Sequence, residues 1–188
     1  MSVLYFTLAV LFYSACGEET CDKRLSLLEE EVKALQETLS KTVKSPRYLL
    51  EPNGEGVAFY VQLSTDMTHV GNHQTIVFDV VTTNIGNGYN RIDGIFTAPI
   101  GGTYVFTWTT TNKNRSYMTT ELLKKGFIVL GKTTSDAMDH DDYAIATNSV
   151  IVQLNQYDEI WVRSGTWHSG TLAGDMYSTF SGFLLYPN

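Results

Sequence analysis

Between Gly102 and Thr109 every second side chain is aromatic: Tyr104, Phe106 and Trp108 alternate with Val105, Thr107 and Thr109. Successive side chains of an extended chain point to opposite faces, so the three rings share one face of a strand. Burying each such ring contributes roughly 2–3 kcal/mol, which predicts a core strand rather than a surface one. Turn chemistry brackets the segment, with Asn84-Ile85-Gly86-Asn87-Gly88 upstream and Ala98-Pro99-Ile100-Gly101-Gly102 at its start. Further short runs rich in Val, Ile, Thr, Tyr and Phe, punctuated by Gly and Asn, point to an all-β sandwich. A chain of 188 residues, 43% of them hydrophobic, can bury one good core and carry appendages besides.

The rings belong to a longer pattern. Phe78 is followed by Asn84, Tyr89, Phe96, Gly102, Tyr104, Phe106 and Trp108, a series that resembles the signature of the C1q globular head domain. Four further blocks keep the family's order over about Val57–Asn188. VAFYVQL at 57–63 resembles its opening strand and ELLKKGFIVLG at 121–131 its central hairpin. SVIVQLNQYDEIWVRSG at 149–165 matches a strand, acidic turn and strand, and STFSGFLLYP at 178–187 a closing strand placed mid-sheet. Trp108 stands where the family usually has Phe or Tyr. The resemblance implies the two-sheet jelly-roll sandwich shared with tumour necrosis factor, a homotrimer, and binding rather than catalysis. No Gly-X-Y run is present, which separates the chain from complement C1q itself and its collagen stalk.

Residues ahead of the head, taken as 57–188, divide into three parts. Val3–Ala15 is almost wholly apolar and too short to span a bilayer, which predicts a signal peptide over 1–17, cleaved after Gly17. Leu25, Leu28, Val32, Leu35 and Leu39 follow the 3–4–3–4 spacing of a heptad seam, predicting a short coiled-coil helix over 18–44. The trimeric head that the resemblance implies would make it a trimerisation helix, and an isolated amphipathic helix lying on the head is the plain alternative. Ser45-Pro46 ends it, and 45–56 reads as a linker. Cys21 falls on the seam. With Cys16 removed by cleavage it is the one mature cysteine, so an interchain disulfide joining two trimers into a hexamer is expected; cleavage ahead of Cys16 would instead let an intrachain loop compete.

Charge excludes some classes. Residues 1–56 hold nine acidic and six basic side chains and residues 57–188 hold eleven and seven, giving −3 and −4 and the total of −7. No Lys/Arg cluster exceeds two in a row, which disfavours nucleic acid and anionic membranes as partners. The chain contains no GxSxG, HExxH, Walker or paired CxxC motif, and His69, His73, His140 and His168 are scattered. No enzyme is expected.

Three features could carry binding. Ser135–Asp142 places Asp136, Asp139, Asp141 and Asp142 within seven residues, an oxygen-rich loop of the kind calcium takes. C1q-like heads often bind calcium near the top of the trimer, which makes that ion the expected cofactor. A solvated acidic loop is the plain alternative. Asn114-Arg115-Ser116 is a glycosylation sequon. Ser164–Gly170 sets Trp167 and His168 among small polar residues, and an aromatic face with polar neighbours suits a sugar. Trp167 could equally pack its loop onto the sandwich. Tyr143, Tyr117 and Arg91 lie near other turns and join it as candidate ligand contacts.

Together these features describe a secreted, extracellular homotrimer. The resemblance to invertebrate C1q-like proteins of this layout implies lectin-like recognition of glycans or microbial surface molecules in innate immunity. The alternative is a cerebellin- or adipokine-like signalling or adhesion ligand for a protein receptor. A calcium-binding matrix scaffold is a third reading.

Overall fold

The computed structural model describes residues 18–42, 56–169 and 171–188, with the side chains of 18–21, 39–42 and 167–169 outside that description. The expected signal peptide and nearly all of the linker lie outside the described residues, as does the thiol of Cys21.

Helix α1 spans Glu18–Thr42. Leu25, Leu28, Val32 and Leu35 line its seam, and all four are exposed on the single chain. Apolar residues at this spacing form one stripe along the helix.

The head is built from ten strands in two antiparallel sheets. The first sheet orders β2 (Val80–Ile85), β1 (Ala58–Gln62), β10 (Thr179–Pro187), β5 (Gly102–Lys113) and β8 (Tyr143–Leu154). The second orders β3 (Tyr89–Asn90), β4 (Ile95–Thr97), β9 (Glu159–Ser169), β6 (Tyr117–Lys124) and β7 (Ile128–Asp136). Each sheet inserts a late strand, β10 or β9, between earlier ones, which is the jelly-roll arrangement. The closing strand, β10, is central in the first sheet, as the resemblance implied.

Tyr104, Phe106 and Trp108 are fully buried between the sheets. Phe59 stacks on Phe96 at 4.9 Å and meets Phe180 edge-on at 4.9 Å, and Phe96 meets Phe106 edge-on at 5.4 Å. Offset and edge-on ring pairs of this kind add about 0.5–1.5 kcal/mol beyond their burial. Buried polar handles are satisfied: the Trp108 indole N–H donates to Thr120 Oγ1 at 3.0 Å, and Tyr104 Oη donates to the Ile100 carbonyl at 2.7 Å. Asn84 explains its own place in the pattern. Its side chain donates to the Tyr89 carbonyl and accepts from the Tyr89 N–H, clamping the turn between β2 and β3. Gly102 and Gly182 are fixed by space, since a Cβ would lie 2.4 Å from the Tyr186 carbonyl oxygen or 2.5 Å from the Phe106 ring.

Two outward rows differ in character. On the first sheet, Ile151, Val105, Phe183, Ala58 and Ile85 stand side by side across five strands, none of them in the buried core. On the second, Lys132, Glu121 and Arg163 form an ionic row across β7, β6 and β9. Glu121 Oε1 takes Lys132 Nζ at 2.6 Å, and Oε2 accepts from Arg163 Nη2 and Nε at 2.8 and 2.9 Å.

The structure differs from the sequence reading at 164–169. These residues were expected to form a loop and instead complete β9. The small, polar composition suggested a turn, but pairing with β6 (Thr120 to Ser164, Met118 to His168, Tyr117 to Ser169) holds them extended. Tertiary pairing overrides local composition here.

Candidate functional site

Four connections meet at one end of the sandwich. The β5–β6 turn (114–116) bonds to the β7–β8 loop (137–142) through Asn114 N–H to the Asp142 carbonyl at 3.1 Å and Arg115 N–H to the His140 carbonyl at 3.1 Å. The β1–β2 loop (63–79) bonds to the β9–β10 loop through the mutual Met67–Leu172 pair, at 2.9 and 3.1 Å, and through Asp175 N–H to the Ser64 carbonyl at 3.0 Å. Ala173 N–H to the Thr111 carbonyl, at 2.7 Å, ties that loop to the end of β5. These main-chain bonds make the loop end a knitted surface rather than four independent tips.

A polar pocket of about 220 Å³ opens here, lined by Asp66, Thr68, Lys113, Asn114, Arg115 and Thr171, with Ser116 in its wall. Lys113 Nζ pairs with Asp66 Oδ2 at 2.5 Å, and Gly174 N–H donates to Asp66 Oδ1 at 2.9 Å. The hydrogen bond from Lys113, reinforced by Gly174, holds the Asp66 carboxyl below its ordinary range and raises Lys113 in turn. On the rim Arg115 Nε donates to Asp141 Oδ1 at 2.9 Å, an exposed pair. Beneath the pocket Asn112 is buried. It donates to Ser116 Oγ and to the Thr171 carbonyl, both at 3.3 Å, and accepts from the Ser135 hydroxyl.

Beside the pocket, Tyr143 at the start of β8 stacks on Tyr177 of the β9–β10 loop, with centroids 5.1 Å apart and planes 25° from parallel. Both are exposed. Tyr143 faces Lys113 across the β5–β8 pairing, which joins the aromatic pair to the pocket's base.

The candidates read from sequence separate into groups. Tyr143, Tyr117, Asn114 and the acidic loop all reach this end. Arg91 does not: it lies in the turn between β3 and β4, at the sheet edge opposite β7, where its charge acts on Asp79. Trp167 and His168 are in β9 by their backbone, and their side chains lie outside the described residues.

In the acidic loop Asp136 Oδ1 accepts from Met138 N–H at 3.0 Å and Asp142 Oδ1 from Tyr143 N–H at 2.7 Å, while Asp141 is turned to Arg115. Asp139 is exposed. Among the described residues no group of three His, Cys, Asp or Glu side chains converges to hold a metal ion. Asp136, Asp141 and Asp142 are thus engaged singly.

Sequence reasoning missed Asp66, Lys113 and Tyr177. Tyr177 sits in Gly174-Asp175-Met176-Tyr177-Ser178, the same aromatic-among-small-polar signal that singled out Trp167. Asp66 had no such signal, since the partner that defines it lies 47 residues away by the difference of 113 and 66.

Comparison with known proteins bears on all of this. A family model described as C1q domain matches residues 58–185. Complement C1q tumor necrosis factor-related protein 3 of Mus musculus is 33% identical over 134 residues, covering 69% of this chain and 51% of that protein. Its Homo sapiens counterpart is 33% identical over 139 residues with the same coverage, and Danio rerio Caprin-2 is 36% identical over 119 residues, 61% of this chain and 12% of that protein. The chain therefore spans about half the length of the first two relatives. Among solved structures, the globular domain of zebrafish complement 1qA protein superposes with a TM-score of 0.59 at 16% identity, covering 70% of this chain and 99% of that one. Eiger TNF from S. frugiperda gives 0.60 at 12% identity, covering 71% and 95%. Both share the fold. No helix among the described residues is long and apolar enough to cross a membrane.

Proposed function

Because this chain belongs to the C1q domain family, we propose that it is a secreted homotrimeric recognition protein whose loop end binds glycans or other microbial surface molecules in innate immunity. The observation that carries this reading is the exposed Tyr143–Tyr177 stack beside the pocket of Asp66, Lys113 and Arg115. A flat aromatic surface receives sugar C–H faces, and adjacent charged and polar groups take the hydroxyls. No catalytic role is proposed.

Assembly supports the same reading. The outward row Ile151–Val105–Phe183–Ala58–Ile85 offers apolar surface to neighbouring copies, and the α1 stripe offers a second contact. Three heads on one stem convert weak single-site binding into avidity of about 10²–10⁴. A Cys21 disulfide would pair trimers, a claim that a wholly monomeric band on a non-reducing gel would sink.

The test is a glycan-array screen of the secreted protein, confirmed trimeric, with calcium and with chelator. Selective binding competed by free sugar supports the lectin reading, and its loss in chelator brings calcium and the 135–142 loop into the site. A blank array from folded trimers refutes it.

A second reading, a ligand for a protein receptor, is favoured by Phe127. It is 72% exposed at the β6–β7 hairpin tip, with φ of 61°, and its ring sits edge-on to Trp161 at 6.0 Å. A bulky residue held in the left-handed region with its ring in solvent is costly alone and suits an aromatic anchor for a partner's pocket. Loss of cell-surface binding in Phe127→Ala with glycan binding intact would select this reading.

A further inference from the structure

We propose that Asn114 is an N-glycan acceptor whose glycan roofs the Arg115 rim of the polar pocket at the loop end and leaves the Tyr143–Tyr177 stack beside it open to a ligand. The proposal rests on the secretory reading above, because the transfer takes place inside the secretory path.

Asn114-Arg115-Ser116 forms the turn from β5 into β6, and Asn114 and Arg115 both have φ of 54°. Asparagine tolerates this left-handed conformation better than most residues. The turn is fixed from behind by Asn114 N–H to the Asp142 carbonyl. The Asn114 side chain is exposed on the pocket rim, and no described residue hydrogen-bonds its amide. A sugar attached there stands directly beside Arg115, on the rim of the pocket that Lys113 also lines.

The third residue of the sequon sets the timing. Ser116 is buried, its hydroxyl donating to the Lys113 carbonyl at 2.6 Å while accepting from Asn112 at 3.3 Å. A hydroxyl so engaged cannot be read by a transferring enzyme. Transfer therefore precedes closure of the β5–β6 turn. In that step the Asn114 amide nitrogen attacks the anomeric carbon of an oligosaccharide carried on a lipid diphosphate. The new C–N bond forms as the C–O bond breaks, the diphosphate leaves with the electron pair, and the amide proton passes to solvent.

The full chain is secreted from cultured animal cells and treated with N-glycosidase in heavy-oxygen water, which labels each former acceptor as a carboxylate. Peptide mass should show the label at residue 114, and the mobility shift should vanish in Asn114→Gln. Arginine modification by phenylglyoxal, read on the peptide holding Arg115, should run several-fold slower on the glycosylated protein than on Asn114→Gln. Secretion with Asn114 unlabelled, while a host glycoprotein from the same medium is labelled, overturns the acceptor site alone. Retention of the chain inside the cell overturns the secretory reading and the proposal with it. Labelling with equal Arg115 rates overturns the roof.

Discussion

Replacing Glu121 by glutamine removes one charge and almost no volume, at the centre of the ionic row on the second sheet. The Glu121 side chain is 5% exposed, Arg163 16% and Lys132 59%. Removing one partner of a buried pair costs about 3–5 kcal/mol, because the remaining charge is left uncompensated. Arg163 is in that position, since it places two N–H donors on one Glu121 oxygen. The Lys132 arm is solvated and contributes no more than about 1 kcal/mol. Glutamine keeps one carbonyl acceptor, so the net expectation for Glu121→Gln is a loss of about 2–4 kcal/mol. For a head of this size that lowers the melting temperature by roughly 10 °C.

The pH dependence supplies an independent check. Burial alone would raise the Glu121 carboxyl, but the hydrogen bonds from Lys132 and Arg163 outweigh it and hold the group below its usual value. A group depressed in the folded state stabilises above its unfolded value, near pH 4.5, and loses that contribution as pH falls through the folded one. Thermal unfolding of wild type and Glu121→Gln should therefore differ most at neutral pH and converge in acid. A melting temperature unchanged at pH 7, or a difference that stays constant down to pH 3, would refute the reasoning.

Trp108→Phe should cost about 1–3 kcal/mol in urea unfolding, since it leaves a cavity and strands the Thr120 hydroxyl that the indole now satisfies. An unchanged midpoint would show that the hydrogen bond contributes nothing. Ile151→Asp places a charge in the outward apolar row, and sedimentation should show trimers for the wild type and monomers for the variant; persistent trimers would move the interface elsewhere. Tyr177→Ala should weaken array binding at least tenfold by removing half of the stacked pair, about 1.4 kcal/mol per site, without altering the melting temperature; full binding would place the ligand away from this end.

The core was legible because its signals are local. Three rings on one strand face need no partner to be recognised, and Asn84 with Tyr89 is a contact across five residues. The loop end was only partly legible because its contacts are not local. Asp66 meets Gly174 and Lys113, and Tyr143 meets Tyr177, through the crossing of strands distant in sequence. The end of β9 was misread for the same reason: Gly165 and its neighbours look like a turn until β6 is laid beside them. Arg91 shares with the tyrosines only its nearness to a turn, and nearness to a turn does not say at which edge of a sheet the turn sits.

The central place of β10 constrains how the head can be made. Of the strands it is the last to leave the ribosome, yet β1 and β5 both pair through it, and without it the first sheet is two separate pieces. The β1–β10 contacts bridge nearly the whole length of the domain, the kind of pairing that forms slowly. The nascent head is thus obliged to wait, part-assembled, until its final residues are free. During that interval the apolar interior is open to chaperones, and β10 works as the latch that decides when folding of the head is allowed to finish.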